Sequence, residues 1–297
     1  MIFIVIPVHN RKEFTRNCLC SLSKQTFKEY QVIVIDDGST DGTSEMIMSE
    51  FPDVHIIKGD GNLWWAGATN EGVNYVLKNC NDNSIDYILT LNNDLEVPEK
   101  YLEILAYNAS IIQKSVLGSV SVDIIAPEKM EFCGIKWNEF TGKYYLKVKD
   151  YNYSYNDLKD KLKRIDSDML PGRGTLIPIK VFHEIGLYDS QNFPQYAADE
   201  DFALRARKNG WDLVIPTDVY VKSHVTQTGI DISKARFNLG SYKQIFFSIK
   251  SPLNLKTRYR WAMKNTRLKL LYFLMESIKI LFSVSLKMIK RNLSVSK

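Results

Sequence analysis

The sequence predicts an α/β protein built on a mixed, mainly parallel sheet flanked by helices, with a helical tail. Two observations carry this expectation for the first third of the chain. Short apolar runs recur there, IFIVIPV at 2–8, QVIVI at 31–35 and YILTL at 87–91, and each stops abruptly at turn-forming polar residues. Runs of this length, rich in β-branched residues, read as strands buried on both faces and ending at a sheet rim. The stretches between them carry apolar residues at helical spacing and are long enough for crossovers, so the strands are expected to lie parallel.

Taken in order, the first run ends at His9, Asn10 and Arg11, and Phe14, Cys18, Leu19 and Leu22 then mark a helix over 11–25. The second ends at Asp36-Asp37-Gly38-Ser39, and Thr40 or Asp41 is expected to cap a helix reaching residue 51. A short strand at 54–57 leads through the loop 59–67 to a helix over 68–78. The fourth strand, 87–91, ends at Asn92, Asn93 and Asp94, and a helix follows over 98–113. Beyond it the pattern changes: 116–122, 131–137 and 143–148 read as strands of a more mixed region, with a turn at Thr141-Gly142. Residues 147–164, polar and tyrosine-rich, read as loop plus a short helix. The core resumes with a strand over 169–179 interrupted at Gly172-Arg173-Gly174, a helix over 197–208, and a strand over 213–221 that runs into Ser223-His224. From residue 230 on, the sequence reads as helices only.

A chain of 297 residues can bury a sizeable core in one large domain or two smaller ones. Its 45% hydrophobic and 25% charged residues are ordinary for a soluble globular protein. The net charge of +5 hides an asymmetry: residues 250–297 hold twelve Lys or Arg and one acid, Glu276, a local +11 that leaves the remainder at −6. This tail is therefore expected to behave as a separate electrostatic object. Leu270, Phe273, Leu274, Ile278, Leu281, Phe282, Val284 and Met288 form a broad apolar face among its lysines, which suits an anionic membrane surface. The alternative is a helical pair packed on the body or on a second subunit of a homodimer. No run of eighteen uncharged apolar residues occurs, so a spanning helix is not expected. Met1–Val8 lacks a charged leader, and the expected location is cytoplasmic, at the inner face of the plasma membrane. Cys18, Cys20, Cys80 and Cys133 lack metal-site or redox spacing and read as isolated buried thiols.

In an open α/β sheet, ligands bind outside the carboxyl ends of the strands. Pro7 to Arg11, Asp36-Asp37 and Asn92 to Asp94 should therefore meet at one crevice, where carboxylates and amides suit a base and a ribose. The loop 59–70 combines glycines that permit close backbone approach with Trp64 and Trp65, which cannot both face the core from an extended loop. Arg173, between two glycines, is placed to reach a phosphate. Asp199-Glu200-Asp201 opens a helix, where acids are favoured by the macrodipole whatever else they do.

The motifs PVHNR, VIVIDDGSTDGT, GNLWWAGATNEGVNY, LTLNNDLEV, GRGTLIP and DEDFALRARKNGW follow in the order and spacing seen in family 2 glycosyltransferases. Over about residues 1–225 the chain resembles most the bacterial branch of rhamnosyl- and related sugar transferases. The resemblance implies a GT-A fold over 1–229, with a nucleotide-binding half to about 115 and an acceptor-binding half from about 116, followed by the tail 230–297. It implies inverting transfer from a nucleoside-diphosphate sugar, dTDP-rhamnose or a UDP-sugar, to a glycan or lipid-linked acceptor of a cell-surface polysaccharide, with Mg²⁺ or Mn²⁺. No nucleic-acid partner is expected. Asp94 matches the last acid of the family's DxD metal motif, whose earlier positions here are Asn92 and Asn93, and His224 resembles a further metal ligand. Asp199 matches the catalytic base of an ED-x-D segment, with Ala198 where the family has Glu and Asp201 in reserve. The implied donor side comprises Pro7, His9, Asn10, Arg11, Asp36, Asp37, Gly61, Asn62, Trp65, Gly67, Asn70, Asn92 and Asn93. The implied acceptor side comprises Trp64, Arg173, Gly174, Gln195 and Tyr196. With Asn92 and Asn93 in the metal motif, a non-catalytic nucleotide-sugar-binding scaffold stands as the alternative. A nucleotidyltransferase would need a glycine-rich loop after the first strand, and PVHNRKEF has none.

Overall fold

The computed structural model describes residues 1–79, 86–151, 154–224 and 238–295. Cys80 and the first residues of the expected tail, 230–237, lie outside the described residues. The first half alternates as expected: β1 (Ile2–Val8), α1 (Lys12–Ser23), β2 (Tyr30–Asp36), α2 (Thr43–Glu50), β3 (His55–Lys58), α3 (Trp64–Asn79) and β4 (Tyr87–Thr90). Then come β5 (Leu95–Glu96), α4 (Tyr101–Ile111), β6 (Ser115–Leu117), β7 (Val120–Asp123), β8 (Met130–Phe132), β9 (Ile135–Trp137) and β10 (Tyr144–Leu146). After a short 3₁₀ turn follow α5 (Tyr155–Lys161), β11 (Arg164–Asp166), β12 (Thr175–Pro178), α6 (Ile179–Ile185), α7 (Ala198–Lys208), β13 (Asp212–Pro216) and β14 (Tyr220–Ser223). The C-terminal helices are α8 (Leu239–Phe247), α9 (Leu255–Asn265) and α10 (Lys269–Val295).

The main sheet has eight strands in the order β11-β13-β6-β12-β4-β1-β2-β3. β1 is central because its side chains are apolar on both faces, and it pairs in parallel with β2 and with β4. β12 and β11 enter antiparallel, which makes the sheet mixed. A second sheet, β5-β14-β7-β8, continues the mixed half. Val8 and Asp36 are register partners, so the ends of β1 and β2 lie side by side at the rim.

Several elements differ from the sequence expectation for identifiable reasons. The runs 116–122 and 213–221 are not single strands: β6 and β13 belong to the main sheet, and β7 and β14 to the second. The first break falls at Gly118, where a Cβ would come within 2.6 Å of Leu170 and 3.0 Å of Ile215, so any larger residue would push these core side chains aside. The run 131–137 likewise divides at Gly134, at φ 124. Over 169–179 only β12 is a strand, and Met169 and Leu170 are buried in irregular chain. The helix placed over 68–78 begins at Trp64, because the Asp37 carboxylate accepts the N–H groups of Leu63 and Trp64 and so serves its first turn from another strand end. At α2 neither Thr40 nor Asp41 is the cap: left-handed Gly42 is, and Asp41 accepts from Thr43 N–H at 3.2 Å and Lys12 N–H at 2.9 Å. Cys20 is half-buried rather than buried.

The first part of the tail is tied electrostatically to the body. Lys264 Nζ lies 2.6 Å from Asp189 and 3.0 Å from Asp201, Arg267 pairs with Glu139 at 2.6 Å, and Arg260 donates to the carbonyls of Gln191 and Asn192. These cations answer acids and carbonyls of the body and pin α9 to it. α10 runs back along α9, and its Val284 and Met288 are buried with Ile245 and Phe246 of α8. Its outer face leaves Leu271, Leu274, Met275, Ile278, Leu281 and Phe282 exposed. No helix among the described residues is long and apolar enough to cross a membrane.

Candidate functional site

A cleft of about 1310 Å³ opens at the carboxyl ends of β1, β2 and β4. The strand ends supply Pro7, His9, Arg11, Asp37, Asn92, Asn93 and Asp94; Gly61 comes from the loop before α3, and Trp64 and Trp65 from its first turn. Gly172, Arg173, Gln195, Tyr196, Asp199 and Glu200 form the facing side. Its size exceeds the roughly 300–1,000 Å³ of most small-molecule pockets, and so leaves room for two ligands.

Asp37 organises the strand-end side. Its carboxylate accepts Gly61 N–H at 2.8 Å, Leu63 N–H at 3.0 Å and Trp64 N–H at 3.1 Å, and its carbonyl lies 2.6 Å from His9 Nδ1. Trp65 braces both sides: its indole N–H donates to Asn92 Oδ1 at 2.9 Å and its main-chain N–H to Gln195 Oε1 at 3.2 Å. The same ring fills the place of a Cβ on Gly172, which explains the glycine there. Asn93 donates to Thr15, and Tyr196 donates to the Lys250 carbonyl. Four of the six non-glycine residues with positive φ among the described residues, Asn10, Arg11, Trp64 and Ala197, sit at this cleft or its rim. Strained backbone of this kind gathers where side chains must be aimed.

Asp94 is buried, with Oδ2 3.5 Å from the Arg11 guanidinium and Oδ1 without a hydrogen-bond partner. An orphaned carboxylate oxygen fits one ligand of a hard divalent cation. Among the described residues no three His, Cys, Asp or Glu side chains are grouped to hold such an ion. The Asn92 amide oxygen is taken by Trp65, whereas His224 Nε2, on the residue whose main chain is hydrogen-bonded to Asp94, is also buried without a hydrogen-bond partner; further ligands would come from water and a diphosphate.

On the facing side, Asp199 accepts Gly172 N–H at 2.8 Å and Glu200 N–H at 3.0 Å. Burial pushes its carboxyl above the ordinary range, against those N–H groups and the Arg173 charge. Glu200 is pushed up to about 7, first by burial and then by the charge of Asp199, while a hydrogen bond with Tyr144 works the other way. Two adjacent carboxylates thus meet the cleft with raised basicity. Arg173 donates to the hydroxyls of Ser121 and Ser223.

Other expected site residues do not line the cleft. Asp201 is fully buried and held by Arg205, Lys264 and Asn265, so it fixes α9 rather than serving as a base. Asn10 stitches the two strand ends, its main-chain N–H to Ser39 Oγ and its Oδ1 to Thr40 N–H. Asp36 accepts from Ser39 N–H and the Ser44 hydroxyl. Asn70 clasps the backbone of Tyr188 on both sides. Gly67 packs against Leu63, Asn62 is exposed, and Gly174 is left-handed at φ 79 among Ser119, Val221 and Tyr101. The His224 ring stands edge-on to Phe14 at 4.9 Å with Nε2 3.5 Å from Glu96 and without a hydrogen-bond partner, and the main-chain N–H of His224 donates to the Asp94 carbonyl. Sequence reasoning passed over Glu200, whose only signal was its place beside Asp199. It also missed the contribution of Trp137, Tyr144, Arg258, Trp261, Tyr272 and Glu276, which line the cleft. The signal for the last was a single acid in a basic tail.

The family model described as glycosyl transferase family 2 matches residues 3–183. An uncharacterised glycosyltransferase of Rickettsia typhi is 25% identical over 226 residues, 76% of this chain and 64% of that protein. The chain therefore spans less than two thirds of that relative's length. The GalNAc(5)-diNAcBac-PP-undecaprenol beta-1,3-glucosyltransferase of Campylobacter jejuni is 23% identical over 279 residues, 90% of this chain and 88% of that one. Among solved structures, GalNAc-T7 with UDP, GalNAc and Mn²⁺ superposes with a TM-score of 0.59 at 13% identity, over 88% of this chain and 50% of that one. That likeness concerns the fold, which is GT-A-like.

Proposed function

The chain belongs to glycosyl transferase family 2, and from that premise we propose that it is an inverting glycosyltransferase. It moves a sugar from a nucleoside-diphosphate sugar, a UDP-sugar or dTDP-rhamnose, onto a hydroxyl of a glycan or lipid-linked acceptor. The observation that carries the proposal is the pairing, across one cleft, of a strand-end side with Asp37, Arg11 and Asp94 and a facing side with the half-buried carboxylate Asp199.

In this reading Asp37 and the amides it organises hold the nucleoside, and Arg11 and Arg173 face the diphosphate. The acceptor hydroxyl attacks the anomeric carbon from the side opposite the leaving diphosphate, and Asp199 takes its proton. A carboxyl held above its ordinary pKa is a stronger base once ionised, which suits this role. When bound, a divalent cation held by Asp94 and the diphosphate would offset the charge of the leaving group. The GalNAc-T7 structure with UDP and Mn²⁺ supports the UDP and metal choice, and the Campylobacter relative supports a polyprenyl-diphosphate-linked acceptor. The exposed apolar outer face of α10, with the exposed Lys269 and Lys287 on the same helix, supports contact with an anionic membrane where such acceptors lie. The metal role of His224 is supported by its buried Nε2, which has no hydrogen-bond partner and lies 3.5 Å from Glu96.

The test is a donor panel of UDP- and dTDP-sugars, with and without Mg²⁺ or Mn²⁺, read by released nucleoside diphosphate. Turnover of at least one donor is expected. Binding of nucleotide sugars with no release under any condition would favour the non-catalytic scaffold.

A further inference from the structure

The C-terminal helices close one end of the cleft, beyond the stretch matched by the family model. Here we propose a binding subsite: the Arg258–Glu276 pair, set among Trp137, Trp261 and Tyr272, reads the hydroxyl groups of the acceptor sugar and sets acceptor specificity. It rests on the glycosyl-transfer reading and adds the residues that recognise the second substrate.

Arg258 on α9 and Glu276 on α10 line the cleft with a 2.6 Å contact between Nη1 and Oε1. Each has a further polar atom, Arg258 Nε and Glu276 Oε2, that is buried without a hydrogen-bond partner in good geometry, the Tyr272 hydroxyl being the polar neighbour of the Glu276 carboxylate. Buried polar groups are almost always satisfied, so a donor and an acceptor orphaned on one paired unit point to a ligand that supplies both. Neighbouring sugar hydroxyls, each able to donate and to accept, have that chemistry. A single anion or cation does not, because it answers only one of the two.

The surroundings suit a pyranose ring. Trp137 and Trp261 meet edge to face at 6.2 Å, and both line the cleft. The Tyr272 ring lies where a Cβ on Gly142 would be, 1.8 Å from the nearest ring atom, so the hairpin of β9 and β10 needs glycine to let this ring in. Aromatic faces beside a charged fork pack the C–H face of a sugar while its hydroxyls are hydrogen-bonded. The wall is continuous with the chemistry: Tyr144, on the same hairpin, is hydrogen-bonded to Glu200, next to Asp199. A sugar seated here presents a hydroxyl toward Asp199. The wall is also held in place, because Lys264 and Asn265 at the end of α9 are fastened to buried Asp201. Such fastening lowers the cost of ordering a binding site.

The test uses the full chain with methyl glycosides of glucose, galactose, N-acetylglucosamine and N-acetylgalactosamine in the presence of UDP or dTDP. Binding is read by tryptophan fluorescence and by saturation-transfer NMR. At least one glycoside is expected to bind, and Glu276→Gln to weaken it about tenfold or more, since a hydrogen bond to a charged group is lost. Nucleotide affinity, titrated separately, is expected to stay within about twofold of wild type for this substitution at the other end of the cleft. Arg258→Lys, which keeps the charge and loses the fork, is expected to weaken the same glycoside and carries the test if Glu276→Gln does not fold. Unchanged glycoside affinity in the folded variants, or no glycoside bound by the wild type, overturns the proposal. A failed transfer reaction is a different outcome: it appears as absent nucleotide release in the donor panel, whatever the glycosides do.

Discussion

Replacing Glu200 by glutamine keeps the shape of the side chain but removes a carboxylate that the fold holds at about 7, against 4.5 for an ordinary glutamate. Between those values the folded protein binds a proton that the unfolded chain has released. Unfolding then sheds protons, so the contribution of this group to stability falls as pH rises from about 4.5 to about 7 and stays lost above that. A pKa unit is about 1.4 kcal/mol, so the full gap would be about 3 kcal/mol. The side chain is only partly buried and opens to the cleft, where water screens it, so a gain on the order of 1–2 kcal/mol is expected for Glu200→Gln at pH 8. Urea unfolding of both proteins at pH 5 and pH 8 measures it. The variant should be the more stable at pH 8, and the difference should shrink toward zero at pH 5. A loss of stability at both pH values, or a pH-independent difference, would refute the claim that Glu200 is ionised at a cost.

Two further outcomes follow from the geometry. Asp37→Ala leaves the N–H groups of Gly61, Leu63 and Trp64 without their acceptor; at about 1 kcal/mol for each bond, a loss of about 2–4 kcal/mol is expected in urea unfolding, with weaker UDP binding by titration. Ile278→Asp with Phe282→Asp on the outer face of α10 is expected to abolish co-sedimentation with anionic vesicles, which in the wild type should weaken with salt; binding that ignores lipid charge would remove the membrane from the proposed function.

The parts legible in the sequence were those decided locally. β1, β2 and β4 announced themselves as apolar runs ending in polar turns, and their rims brought Asp37 and Asp94 to the cleft as expected. The misses had long-range causes. A run apolar on both faces looks the same whether it stays in one sheet or crosses to a second, so 116–122 and 213–221 hid their breaks. α3 begins at Trp64 because its first N–H groups find an acceptor 27 residues earlier, at Asp37. Among three consecutive acids opening α7, a helical step of about 100° separates neighbours, and only packing decides which faces the cleft: Asp199 and Glu200 do, whereas Asp201 turns into α9. Arg258 and Glu276 come from two helices, and nothing in the intervening residues announces that they meet.

The most direct measurement is transfer by Asp199→Asn beside donor binding by the same variant, once the donor panel has supplied a working sugar nucleotide. General-base assistance contributes roughly 10²–10⁴-fold, so transfer should fall by about that factor while the affinity for the donor, measured by titration, stays close to wild type. Wild-type turnover by Asp199→Asn would contradict the role given to this carboxylate.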